Sequence, residues 1–499
     1  MNSDVVRKKV VIAGGGTSGW LAAAALGKLL GKNLDISLIE SEEIGRIGVG
    51  EATIPPLRTF HKLLGIDERE LMSAIQGTFK LGIEFINWGR LGDNYIHSFG
   101  VTGKDCWACD FQHFWLSAQK KGIGESFGEY CLELMAAKQG KMLGSDESGV
   151  NYAYHLDAGL YAGFLKKYSL KHGVKWIEGK ITTVNIEPLN GYIQSLLLED
   201  GRTIGGDLFI DCTGFSARLI EGALNTSYEP YGHYLPCDSA VAIQTELSGP
   251  PRPYTQAIAH EFGWQWRIPL QHRVGNGMVY SSRHVSDDEA LTTLMSNLES
   301  PAITEPRAFK YRTGRRSKVW NKNCVAVGLA SGFLEPVEST SIHLAMSGIL
   351  RLLKLFPLDE IRQSTVDEYN RQSREEMDRV RNFIILHYHA TERTDTPFWR
   401  YCKDMEIPDA LAHRIKLFKD TGAVPLLEKE LFLVDSWTQV MFGQHIMPER
   451  YHPIVDLMEE RELDRFLKGL KAMVDKKLAQ MPTHQAFIDS YCKAPKISQ

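Results

Sequence analysis

The chain has 499 residues, 43% of them hydrophobic and 24% charged, with a formal net charge of −4. That length exceeds one ordinary hydrophobic core, so two modules are expected, and the lack of a basic block excludes nucleic acid or an acidic membrane as the main partner. No run approaches the about 18 apolar residues of a membrane span, and Arg7-Lys8-Lys9 leads directly into a strand pattern, which predicts no signal segment and a cytoplasmic setting.

Lys9 to Ala13 is a short apolar run with β-branched residues, the pattern of a buried strand, and the Ala- and Leu-rich stretch from Ser18 to Leu29 favours helix. Between them lies Gly14-x-Gly16-x-x-Gly19, in the strand–turn–helix context of a dinucleotide site. The first glycine permits a tight turn, the second lets a pyrophosphate approach the backbone, and the third lets helix pack on strand. The helix N-terminus then presents N–H groups and a positive dipole end to the phosphates. Asp35 to Glu40 reads as a second strand, ending in an acid at about the offset of twenty residues that suits a ribose hydroxyl. A glycine-rich turn without a ligand is the plainer alternative. The stretch Gly45 to Pro56, with three glycines and a Pro-Pro pair, reads as an extended loop that either follows a cofactor or merely connects.

Thr78 to Phe85 alternates with period two, setting Phe79, Leu81, Ile83 and Phe85 against Lys80, Gly82 and Glu84. On that pattern alone Lys80 belongs to a solvated strand face. His97 and Phe99 share a face of the next alternating run, as a core pair or as walls for a planar ring. Cys106-Trp-Ala-Cys109 has no second cysteine pair or histidine cluster to complete a zinc site, so no metal is expected.

Residues 110 to 139 read as helices, and Asp157 to His172 as another closed by Gly173. Strands follow at Val174–Glu178, Ile181–Glu187 and Tyr192–Leu198, the last two joined by the hairpin signal Asn190-Gly191, then at Asp207–Asp211. Strand–helix–strand, a meander and a return strand is the order of flavin-binding domains; a nicotinamide dehydrogenase would continue βαβ. Cys237 to Ser282 is strand-like, and Gly263-Trp264-Gln-Trp266-Arg-Ile268-Pro269 puts both indoles on one face. After the strand and turn at Asn323–Gly332, Ser339 to Ser341 offer N-cap chemistry to an apolar helix running to about Leu355, with Glu338 just outside it as a carboxylate at the positive helix end. From Asp359 onward charged helices dominate, and His387 and His389 are poorly spaced for a metal on a helix.

Several of these stretches together resemble the flavin-dependent tryptophan halogenases: Gly14-Gly-Gly16-Thr-Ser-Gly19-Trp20, Gly48-Val-Gly50-Glu51-Ala-Thr-Ile-Pro55, Phe79-Lys80-Leu-Gly82, Trp264-Gln-Trp266-Arg-Ile268-Pro269 and Phe333-Leu-Glu335-Pro336-Val-Glu338-Ser339-Thr340, with Arg393-Thr-Asp395-Thr-Pro397-Phe-Trp399 further on. The resemblance implies an α/β fold: a Rossmann-type FAD-binding domain with mixed sheets, over residues 1–355 with substrate-facing insertions around 75–150, and a mainly helical substrate module over 356–499. It implies FAD, used as FADH2 from a separate flavin reductase and held by Gly14, Gly16, Thr17, Ser18, Gly19, Glu40, Gly50, Glu51, Ala52, Gly328 and Leu334. A chloride or bromide ion would lie at Thr340 and Ser341 and turn a flavin hydroperoxide into hypohalous acid. That oxidant would pass Trp264, Trp266, Ile268 and Pro269 in a closed tunnel to Lys80, with Glu338 as the catalytic carboxylate.

For substrate, the resemblance implies a small aromatic, probed by His97, Phe99 and Trp437. Members acting on free tryptophan grip its amino acid end with a tyrosine pair followed by a glutamate. Between Leu426 and Tyr451 this chain has only Trp437 and Gly443-Gln444-His445, so indole, tryptophan and larger indole compounds all stay open. A homodimer is also allowed for. The competing readings are a single-component flavin hydroxylase or epoxidase, which would need no Lys80–Glu338 pair, and a non-catalytic flavin-binding protein.

Overall fold

The computed structural model describes residues 7–44, 50–144 and 148–496; Gly45 to Val49 of the glycine loop, including Gly48 of the family-like motif, lie outside the described residues. The chain forms two compact units, each assembled from three segments: 1–77, 156–232 and 311–378 in the first, 78–155, 233–310 and 379–499 in the second. The change of sequence character at Asp359 falls inside the third segment of the first unit.

The first unit is built on a six-stranded sheet in the order Trp320–Asn321, Cys324–Ala326, Leu208–Asp211, Lys8–Ala13, Leu34–Glu40, Lys175–Glu178. All pairs are parallel except the outermost hairpin at Trp320–Asn321. Parallel strands need crossovers and are covered on both faces, which is why Val10-Val-Ile-Ala and Leu208-Phe-Ile read as unbroken apolar runs. The helix Thr17–Leu30 packs on Ala158–Lys171 and Ser341–Lys354. On the opposite side the antiparallel meander Ile181–Ile186, Ile193–Leu198, Thr203–Gly205 closes a core of Val11, Ile39, Leu196, Phe209 and Leu219. Asp157 caps its helix by accepting from Leu160 N at 3.0 Å, and Gly173 ends it at φ +81°.

The second unit holds a seven-stranded sheet in the order Arg307–Lys310, Ser239–Thr245, Val274–Tyr280, Gly263–Pro269, Thr255–Ala259, Gly82–Ile86, Asn94–Ser98. The expected single strand from Thr78 to Phe85 is instead two. Thr78–Lys80 pairs antiparallel with Ala153–His155, and after Leu81 the chain re-pairs Gly82–Ile86 with Asn94–Ser98. A strand that changes partner shows its two faces to different surroundings, so its period-two pattern stops reporting solvent. The helices beyond Asp359 come as expected from Gln363–His389 to His484–Tyr491. Their aromatic side chains enclose Trp88, whose ring meets Phe85, Trp264, His387, Tyr388 and Trp399. A second cluster joins Phe111, Phe114 and Tyr130 to Val455, Leu463 and Leu467. Cys106 and Cys109 are thiols facing each other across a tight turn, with mutual backbone bonds of 3.1 and 2.9 Å. No helix among the described residues is long and apolar enough to cross a membrane.

Candidate active site

In the first unit the glycine turn has the shape that its spacing anticipates. Gly14 sits at φ +107°, and a Cβ there would lie 2.2 Å from Cys212 O; one on Gly19 would lie 1.9 Å from Gly14 O. A Cβ on Gly16 would meet no atom of the described residues within 4 Å. Gly16 is the N-cap of the Thr17–Leu30 helix and offers no side-chain cap, so it leaves the first-turn N–H groups around Thr17 and Ser18 unclaimed by a capping side chain. Glu40 lies against this turn, since a Cβ on Gly15 would fall 1.8 Å from its Oε2. Trp20 Nε1 donates to Glu40 Oε2 at 3.3 Å and Lys166 Nζ to Oε1 at 2.8 Å. Lys166 also stands 3.5 Å from the Trp176 ring centroid. This partner of Glu40 carries no local signal in the sequence, being a lysine in the middle of a helix. An open helix N-terminus beside an anchored carboxylate fits the pyrophosphate and ribose of a dinucleotide.

Other residues named for the cofactor lie in the same unit. The short strand Gly50–Ala52 carries Glu51, whose carboxyl burial lifts to about 7. Gly328 adopts φ +68°, and a Cβ there would collide with Ser18 Oγ at 2.1 Å. Leu334 is buried. Glu338 ends the 3-10 turn Pro336–Glu338, fully buried, and Ser339 follows at φ +57°. The expected side-chain cap on the next helix is not made: Thr340 is the N-cap residue without a capping bond, and its Oγ1 is buried with no partner among the described residues. The Ser341–Lys354 helix therefore starts with its N–H groups unclaimed by a cap, where an anion is favoured.

In the second unit Lys80 is 0% exposed, which overturns the solvated-face reading. Its Nζ stands 5.2 Å from the Phe99 ring centroid, within cation–π range. Its charge also helps depress His155, whose pKa is held well below the usual value first by burial and then by Lys80 and His484. Trp264 and Trp266 are both buried with ring centroids 6.2 Å apart, as the alternation required. Gly277 pairs with Trp266 across the sheet, and a Cβ on it would lie 2.0 Å from that indole, so the glycine is what lets the ring lie flat over the neighbouring strand. Ile268 and Pro269 complete the buried end of the strand.

The aromatic residues named for the substrate divide. Phe99 contacts Lys80, whereas His97 meets Phe383 (5.5 Å) and Phe432 (6.1 Å). Trp437 joins the same cluster through Phe383 at 4.8 Å, donates to Phe432 O at 3.2 Å and carries the Arg414 guanidinium 4.2 Å from its ring. Phe383 and Phe432 were missed: the first is one apolar residue in a long helix, the second a lone phenylalanine in a loop. Gln439, two residues after Trp437, accepts from Ser98 N at 2.8 Å and donates to Thr102 Oγ1 at 3.2 Å, tying the His97–Phe99 segment to the Trp437 helix.

Known proteins similar to this chain supply its family. The tryptophan halogenase family model matches residues 9–460. The fold is similar to that of Xcc4156, a flavin-dependent halogenase from Xanthomonas campestris, at 54% identity and TM-score 0.97 over 99% of this chain and 100% of that one. It is similar also to BrvH, a flavin-dependent halogenase from Brevundimonas sp. BAL3, at 42% identity and TM-score 0.93 over 98% and 100%. The tryptophan 6-halogenase ThaL of Streptomyces albogriseolus is 37% identical over 83% of this chain and 82% of its own length. With the family model matching residues 9–460 and the fold shared over nearly its whole length with flavin-dependent halogenases, the chain belongs to the tryptophan halogenase family of flavin-dependent enzymes.

Proposed function

We propose that this halogenase uses hypohalous acid to halogenate an indole, drawing FADH2 from a separate flavin reductase. The observation that carries the reading is the fully buried Lys80 beside the half-buried Phe99 ring, in a chain of this family. Burying an ammonium is costly, and a fold retains one where it has work to do. Bound flavin supplies the two electrons with which oxygen and a halide give hypohalous acid. Gly14, Gly16, Gly19, Thr17, Ser18 and Glu40 hold it, with Gly50, Glu51, Ala52, Gly328 and Leu334 around them, and Thr340 and Ser341 hold the chloride or bromide at a helix N-terminus.

Lys80 receives the oxidant in one of two ways. Its N–H donates a hydrogen bond to the hypohalous oxygen, or its amine exchanges N–H for N–X with release of water. The halogen then passes to the electron-rich ring carbon, and the ring proton leaves to a carboxylate, the role given to Glu338. Trp264, Trp266, Ile268 and Pro269 wall the oxidant's path and exclude water from it. With no amino acid clamp in the Leu426–Tyr451 stretch, the indole ring itself is the recognised feature and attack follows intrinsic reactivity, at C3 where that carbon is free.

The test is mass spectrometry of products from a panel of indoles and phenols, with bromide or chloride and a generic flavin reductase. Halogen isotope patterns on indole, formed at least as fast as on L-tryptophan in direct competition, are expected. Hydroxylated products, or NAD(P)H oxidation without a reductase, would replace the reading with a single-component monooxygenase. Exclusive halogenation of the benzo ring of tryptophan would return a clamp to the C-terminal helices.

A further inference from the structure

The strand Thr78–Lys80 is the edge of its sheet, with Ala153–Asp157 as its neighbour on the inner side. On the outer side the Phe79 N–H points away from that neighbour and donates to His484 Nε2 at 3.1 Å. A main-chain N–H can only donate, so Nε2 is the acceptor and the proton sits on Nδ1, which donates to Pro251 O at 2.8 Å. The imidazole therefore stands in for the missing strand neighbour. Burial holds His484 at about 4, so the ring stays neutral and keeps its acceptor near pH 7.

His484 opens the helix His484–Tyr491, and that helix is itself stitched down around the lysine strand. Phe487 and Tyr491 pack on the Phe79 ring at 5.0 and 6.0 Å. Met142 N donates to Pro482 O at 3.1 Å and His484 N to Gly140 O at 2.8 Å. The Gln271 amide, two residues beyond Pro269, donates to Cys492 O at 3.2 Å and accepts from Ala494 N at 2.9 Å. The strand's other anchors have the same character. Thr78 Oγ1 donates to Pro269 O at 2.7 Å, so it accepts from His155 Nδ1 at 2.9 Å, and Leu81 N donates to Pro253 O at 2.8 Å.

We propose that His484 is a positioning residue for Lys80, fixing through the Phe79 N–H the backbone from which the lysine side chain projects, so that the C-terminal helix forms part of the lysine's mounting. The inference rests on the role given to Lys80 above. It names a residue 405 positions along the chain from Phe79 that touches neither oxidant nor substrate. A displacement of about 1 Å in a reacting group costs on the order of 100-fold in rate, so one lost main-chain bond at this strand has a large effect on transfer and none on flavin chemistry.

Two substitutions separate positioning from packing. His484→Asn keeps a donor for Pro251 O but is too short to reach the Phe79 N–H; His484→Gln reaches it. Halogenated indole and oxidant released to a small scavenger are measured in the same reaction, with Lys80→Ala alongside. For His484→Asn we expect flavin affinity and oxygen consumption within about twofold of wild type, kcat for halogenation lower by about 100-fold at unchanged indole KM, and the missing halogen recovered on the scavenger. His484→Gln should recover part of that loss, and His484→Asn added to Lys80→Ala should cost nothing more. A wild-type kcat in His484→Asn, or a parallel loss of oxygen consumption and product that His484→Gln does not relieve, would overturn the proposal. If His484→Asn does not fold, His484→Gln decides: a product-to-oxidant ratio below wild type supports positioning, and an unchanged ratio with a lower thermal midpoint overturns it. Product retained by Lys80→Ala would instead overturn the role of the lysine itself.

Discussion

Around the glycine turn of the first unit, the constraints come from main-chain atoms of the turn and of the strand ends beside it: Gly14 against Cys212 O, Gly19 against Gly14 O. At the lysine strand of the second unit they come from side chains and carbonyls scattered along the chain, from His155, Pro253, Pro269 and His484. The contrast fits the role proposed for each place. A phosphate site needs exposed backbone N–H groups, and backbone is positioned by dihedral angles and close approach. A buried ammonium needs a fixed origin and a dry surround, which only tertiary packing supplies.

The largest effects should come from breaking the turn. Gly19→Ala places a methyl 1.9 Å from Gly14 O and should unfold the first unit, seen as loss of its share of the calorimetric transition. A Cβ on Gly16 has no atom of the described residues within 4 Å, so the thermal midpoint of Gly16→Val should stay near wild type while flavin affinity falls by about 1,000-fold or more in a fluorescence titration. Equal thermal losses in both would erase the distinction between the two glycines.

At the lysine strand the same size of effect needs a core truncation. Phe79 is fully buried and touches five aromatic rings, so Phe79→Ala should cost about 3–5 kcal/mol by chemical denaturation. Acid acts there too. His484 titrates at about 4 in the folded chain against 6.5 ordinarily, so the unfolded chain binds more protons between these values. Stability from this group is complete above about pH 6.5 and is lost as pH falls toward 4, a difference of about 3 kcal/mol. In His484→Gln the unfolding free energy should change with pH in that window by correspondingly less than in wild type; parallel curves would remove His484 as the source.

A smaller effect is expected at the aromatic cluster that joins His97 to Trp437. Phe432→Ala removes a ring stacked on Phe383 at 3.9 Å, and with aromatic pairs contributing about 0.5–1.5 kcal/mol, indole affinity should weaken by up to about tenfold. No change in the dissociation constant would mean that the cluster is core only.

The same contrast explains what could be read from the sequence. The glycine turn, Glu40, the Asn190-Gly191 hairpin and the paired indoles were legible because each depends on residues a few positions apart, with turn chemistry or alternation as the signal. The lysine strand was not. Thr78 to Phe85 alternates cleanly, yet the chain changes partner at Leu81, and the strand is anchored by His484 of the last helix and by the carbonyls of Pro253 and Pro269. Ser339 to Ser341 misled in the opposite sense: they have N-cap chemistry, but Thr340, which takes the N-cap position, makes no side-chain capping bond. Residues such as Phe383, Phe432, Lys166 and His484 act only through tertiary contacts, and no period or motif marks them.

The account turns on the separation of flavin chemistry from halogen transfer, and Lys80→Ala tests it most directly when oxygen consumption and halogenated indole are followed together. The account predicts oxygen consumption at the wild-type rate, unchanged flavin affinity and no halogenated indole, with the oxidant released. Halogenated indole formed at the wild-type rate and at the same ring position would contradict it.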